Sequence, residues 1–133
     1  MVQWYSRSDN AEPPVLDLAY LQRLATHIGE REARELMADA LLELTDRLDH
    51  LHRLTERGTI DEIGRLAHDI AGMAGHQGLS ALSLAAVDVA RRSREDPDSS
   101  AMDLADQVLK HRPMALAAMA DYCTGRTGSE SHA

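Results

Sequence analysis

Apolar residues recur along this chain at intervals of three and four, the spacing that puts side chains on one face of an α-helix. In "VLDLAYLQRLATHIG" the set is Leu18, Leu21, Leu24, Ala25 and Ile28, with Gly29 as the stop. The next segment, Glu30 to Gly58, contains no proline or internal glycine, and Met37, Leu41, Leu44, Leu48 and Leu51 step by four and three. It predicts a bundle helix spanning the domain, about 42 Å long at 1.5 Å per residue, capped by Gly58. Thr59 and, three residues on, Glu62 form a capping box opening a third helix through "IDEIGRLAHDIAGMAGHQG", with Asp61 and Glu62 also suited to the positive end of its dipole.

"LSALSLAAVDVARR" predicts another helix with Leu79, Leu82, Ala86, Val89 and Ala90 inward, and "SREDPDSS" a solvated loop. "AMDLADQVLKHRPMALAAMADYC" is helical on both sides of Pro113, which divides it near Lys110 to Arg112. Residues 1–14, ending in Pro13-Pro14, read as a flexible lead on which Trp4 and Tyr5 could still dock, and 124–133 as a disordered tail. The expected domain, residues 15–123, is therefore an all-α, antiparallel up-down four-helix bundle with a short extra N-terminal helix.

Composition narrows the picture. The 133 residues fit one domain; hydrophobic residues make up 44%, but there is no Phe and aromatics are 3%, so Leu, Ala, Met, Ile and Val must build the core. Met37, Met73, Met102, Met114 and Met119 sit at apolar helical positions and read as core. A formal charge of −8 argues against nucleic acid and anionic membrane as partners. No apolar run approaches the ~20 residues of a membrane span. The N-terminus lacks the order of a secretory signal and Cys123 is alone, so a cytoplasmic location is expected.

The third helix poses a problem, because "RLAHDIAGMAGHQG" and the residue before it carry Gly64, Gly72 and Gly75 around His68, each glycine costing a helix interior about 1 kcal/mol relative to alanine. With His68 at 0° and roughly 100° per residue, Ile63, Leu66, Ala67, Ile70, Met73 and Ala74 form an apolar face between roughly 140° and 260°. His68 points the other way, to water. Gly72 falls near 40°, Gly75 near −20° and Gly64 near −40°. The wheel thus predicts a bare strip of backbone beside an exposed imidazole, open to close approach by another molecule; packing glycines or a local break are the competing readings.

An imidazole with an ordinary pKa of about 6.5 is largely neutral and nucleophilic near neutral pH, which suits covalent phosphoryl chemistry. Asp69 projects about 100° away and cannot orient it. His76, some 12 Å further along the helix, is too distant to share a metal and reads as a polar residue near a helix end or the rim of a docking surface. His27, His50, His52, His111 and His132 show no ligand spacing. No phosphate loop, zinc-protease motif or serine elbow is present.

At these residues the chain resembles the histidine phosphotransfer (HPt) domain family. Ala67-His68 are followed by Ile70 and Gly72 at matching places, then Ala74, Gly78 and Leu82, and the helix order resembles the family over residues 15–122. The resemblance implies a four-helix bundle with His68 as phosphoacceptor, relaying a phosphoryl group between receiver-domain aspartates. It implies a phosphocarrier without catalytic activity of its own. Response-regulator receivers, and a hybrid histidine kinase where one feeds the relay, would be the partners. The chain would need no cofactor, Mg²⁺ being held by the receiver. Gly64, Gly72 and Gly75 would permit approach, with Arg65 and Ala71 as contact positions, and a monomer is the expected state.

One residue departs from the pattern: the family often has Lys three residues after the histidine, where this chain has Ala71. An exposed charge pair is worth about 0.2–1 kcal/mol, so the loss should tune transfer rather than abolish it. Arg65 could partly substitute, or be a solvated arginine or a partner of Asp61 or Asp69. A receiver-binding bundle that accepts no phosphate and a dimerising histidine-kinase bundle are the alternative readings.

Overall fold

The computed structural model describes residues 12–126, which among them form six helices and no strand. They are α1 (Leu18–Ile28), α2 (Glu30–Arg57), α3 (Ile60–His76), α4 (Ser80–Glu95), α5 (Ala101–Leu109) and α6 (Arg112–Cys123). The expectations for Trp4 and Tyr5, and for most of the lead and tail, fall outside the described residues. The end of the lead does make a contact: the Ala81 amide donates to the Pro14 carbonyl at 2.9 Å.

Local chemistry explains where each helix starts and stops. Asp17 caps α1 by accepting from the Tyr20 amide. Gly29 alone joins α1 to α2, and its φ of 97° is a conformation that favours glycine. The α3 capping box forms in full: Thr59 Oγ1 accepts from the Glu62 amide at 3.1 Å, and Glu62 Oε1 accepts from the Thr59 amide at 2.9 Å. Pro113 sits in the first turn of α6, so the expected division at Lys110–Arg112 is a true break.

The loop after α4 is shorter than its composition suggests. Ser93, Arg94 and Glu95 belong to the helix, whose last turn is held by Arg91 pairing with both Asp88 and Glu95. Asp96, immediately before Pro97, turns out of the helix at φ −135° and ψ 80°, as the proline ring requires.

Contacts fix the bundle's directions. Gly64, early in α3, meets Ser93 at the end of α4, whereas Ala71 and Gly75 meet Ser83 near its start, so the two helices run antiparallel. Arg112 at the start of α6 pairs with Asp49 of α2, and Gly125 past its end approaches Arg34, so α6 runs back along α2. The interior is aliphatic: Leu21, Met37, Leu44, Leu48, Leu51, Ile63, Ile70, Leu82, Val89, Leu104 and Met119 are all essentially inaccessible. No buried polar side chain lacks a partner among the described residues. The methionines divide, however. Met37 and Met119 are core and Met73 is partly buried, but Met102 and Met114 are exposed, correcting their assignment to the core.

Candidate functional site

Seventeen residues of α3 carry two faces. Ile63, Leu66, Ala67, Ile70 and Ala74 are buried as the wheel predicts, and His68 is exposed on the opposite side. The imidazole lies on the outside of the bundle, held there by core residues before and after it, and it makes no side-chain hydrogen bond among the described residues.

The glycines behave differently from one another. Gly72 is open: a Cβ built there would meet no atom within 4 Å outside its own helical backbone. Gly75 is also exposed, but a Cβ would lie 3.3 Å from Ser83 Oγ, so it borders the seam with α4. Gly64 is buried, and a Cβ there would stand 2.7 Å from Ser93 Cβ and closer still to its hydroxyl. Gly64 is therefore a packing glycine, correcting its placement in the exposed strip. The reason is that a helical wheel discards position along the axis, and α4 closes on α3 at the level of Gly64 while leaving Gly72 clear.

Ala71 is corrected in the same way. It is only 9% exposed, and its carbonyl accepts a hydrogen bond from Ser83 Oγ at 3.0 Å, which places it in the α3–α4 seam rather than on the surface. Arg65 is exposed and engaged, with Nη2 2.7 Å from Asp61 Oδ2 one turn back. His76 is exposed at the end of α3, where its backbone carbonyl accepts from the Tyr20 hydroxyl at 2.8 Å, tying α1 to the α3–α4 turn. In that turn Gly78 takes φ 76° and its carbonyl accepts from the Asp17 amide.

His68 lines an open hollow of about 520 Å³ between α3 and the end of α4, together with Asp61, Gly64, Arg65, Asp69, Ser93 and Arg94. Sequence reasoning missed Ser93 and Arg94, because it ended the helix at Arg92. The signal was available in the Arg91–Glu95 spacing and in Pro97, which lies two residues after Glu95 and forces Asp96 out of the helix. A second hollow, about 370 Å³, lies across α3 from the first, between α2 and α3, lined by Arg47, His50, Leu54, Glu62, Arg65, Leu66 and Asp69.

Among the described residues no group of three or more His, Cys, Asp or Glu side chains could hold a metal, and no helix is long and apolar enough to cross a membrane. The site thus offers an accessible nucleophile, a clear approach past Gly72 and two guanidinium groups. Against known proteins, residues 35–122 match the sequence model of the Hpt domain family. No curated protein and no solved structure matches the chain.

Proposed function

Because the chain belongs to the Hpt domain family, a phosphocarrier module of two-component phosphorelays, we propose that it relays a phosphoryl group between receiver-domain aspartates on His68. The observation that carries this reading is the exposed imidazole on α3, within the matched residues and beside Gly72, where an added Cβ would meet no atom within 4 Å outside its own helical backbone.

In the forward step a ring nitrogen of neutral His68, the one farther from the backbone, attacks the phosphorus of the receiver's aspartyl phosphate. The N–P bond forms as the acyl O–P bond breaks, and the aspartate leaves as carboxylate with the bonding pair. The other ring nitrogen keeps its proton, leaving a phosphoimidazolium. Attack by a second receiver's carboxylate on the same phosphorus reverses the bond changes and restores neutral imidazole. This chain contributes the nucleophile and docking surface, while Mg²⁺ belongs to the receiver. Gly72, Gly75 and Arg65 form the exposed part of that surface on α3. Interpolating between the Gly64–Ser93 and Ala71–Ser83 contacts puts Val87 of α4, half exposed, level with His68 as an apolar addition to it.

The test is incubation with a phosphorylated receiver domain. Acid-labile label should appear on the wild-type chain and be absent from a folded His68→Gln variant. Equal labelling of the two proteins refutes the site. Receiver binding without label on the wild-type chain replaces the relay with a non-transferring interaction bundle.

A further inference from the structure

Ala71, three residues after His68, is buried in the α3–α4 seam, so a cation that meets the incoming phosphoryl charge has to come from elsewhere in the site. Two arginines line the hollow beside His68, and they differ in availability. Arg65 is bonded to Asp61, and that pair is neutral as a unit. Asp69, on the same wall, has no ion pair among the described residues and adds a negative charge. Arg94 is exposed and has no ion pair or hydrogen bond among the described residues. Without Arg94 the hollow would repel a phosphoryl group; with it, the group finds one guanidinium whose donors are uncommitted.

The backbone explains how an α4 residue reaches this position. Ser93 packs on Gly64 at a separation that leaves no room for a Cβ, which draws the last turn of α4 onto α3 one turn before His68. Ser93 Oγ itself turns back to donate to the Ala90 carbonyl at 2.7 Å, so its proton is engaged within α4.

We propose that Arg94 is the phosphoryl-binding cation of this site, supplied from α4, with Gly64 as the positioning residue that lets it approach. The inference rests on the phosphotransfer reading of His68. Arg94 pairs with the anionic oxygens of the phosphoryl group as it moves onto the imidazole and while it remains there.

The experiment uses the whole chain and phosphoramidate, a small donor that needs no receiver: the His68 N–P bond forms, the donor's P–N bond breaks, and ammonia leaves with a proton from the donor–water pool. The readout is the second-order rate of histidine labelling at low and high salt. Wild type should label on His68 and His68→Gln should not. Arg94→Ala should label about two- to fivefold more slowly at low salt, with the gap closing at high salt. Arg94→Lys should recover most of the rate, and the double variant Asp61→Ala/Arg65→Ala, which removes the neutral pair whole, should stay closer to wild type than Arg94→Ala.

Wild-type rates in Arg94→Ala, with wild type labelled at His68, overturn the role of Arg94 and leave the phosphotransfer reading standing. Equal losses in Arg94→Ala and Arg94→Lys, insensitive to salt, overturn it as well, because they report structure rather than charge. Failure of His68 to label in the folded wild-type chain removes both readings.

Discussion

Gly64→Ala asks whether the bundle depends on the close contact between α3 and α4. The added Cβ would lie 2.7 Å from Ser93 Cβ, well inside van der Waals contact. Rotating the Ser93 hydroxyl relieves the shorter clash but not this one, so the helices must move apart locally. Overpacking of this kind costs about 1–3 kcal/mol. Alanine recovers up to about 1 kcal/mol of helix propensity relative to glycine. With the full propensity gain subtracted, the balance is a net loss of about 0–2 kcal/mol. Gly72→Ala supplies the control within the same helix: it has the same propensity gain and no neighbour within 4 Å, so it should stabilise by about 0.5–1 kcal/mol. Urea denaturation of both variants measures the difference, with unchanged m-values required for the comparison. Gly64→Ala as stable as Gly72→Ala would refute the packing role, and with it the account of how α4 is held against the histidine helix.

Gly72→Gln should raise thermal stability yet slow phosphotransfer, because the new side chain stands beside His68; a steric cost of about 1–3 kcal/mol in the docked complex corresponds to roughly five- to hundredfold in rate. Normal transfer by a stabilised Gly72→Gln would remove the clearance argument. Thr59→Ala deletes one half of the capping box and should cost about 1 kcal/mol, lowering Tm by roughly 3–5 °C, while His68 labelling at 20 °C stays at the wild-type level. Burial, and then the neighbouring Lys110, lowers the His111 pKa in the folded chain. The unfolded chain therefore takes up this proton first as pH falls, so the contribution is present above about pH 6.5 and is lost below it. His111→Gln should flatten the stability profile between about pH 7 and 5 relative to wild type, and an unchanged slope would contradict the assignment.

Much of this fold was legible because its determinants are local. The periodic leucines of α2, the Thr59–Glu62 box and Pro113 each act within a few residues, and each element appears where those signals lie. The buried face of α3 and the outward direction of His68 were legible too, since both follow from helical period alone. What the period could not supply was the position of a neighbouring helix along the axis. Gly64 and Gly75 are nearly superposed on the wheel, yet α4 buries one and leaves the other exposed. Ala71 was misjudged for the same reason, its surroundings being set by Ser83, twelve residues away. Arg94 was hidden by composition: charged residues, Ser and Pro suggest a loop, whereas the ion pairs of Arg91 carry the helix to Glu95.

The chain has seven histidines, so the decisive measurement is one that says which of them carries phosphate. After incubation with a phosphorylated receiver, peptide mapping by mass spectrometry at neutral to alkaline pH, with fragmentation that preserves N–P bonds, should place the phosphoryl group on His68 and on no other histidine. A phosphoryl group on His50, His76 or any other site, with His68 unmodified, would contradict the account.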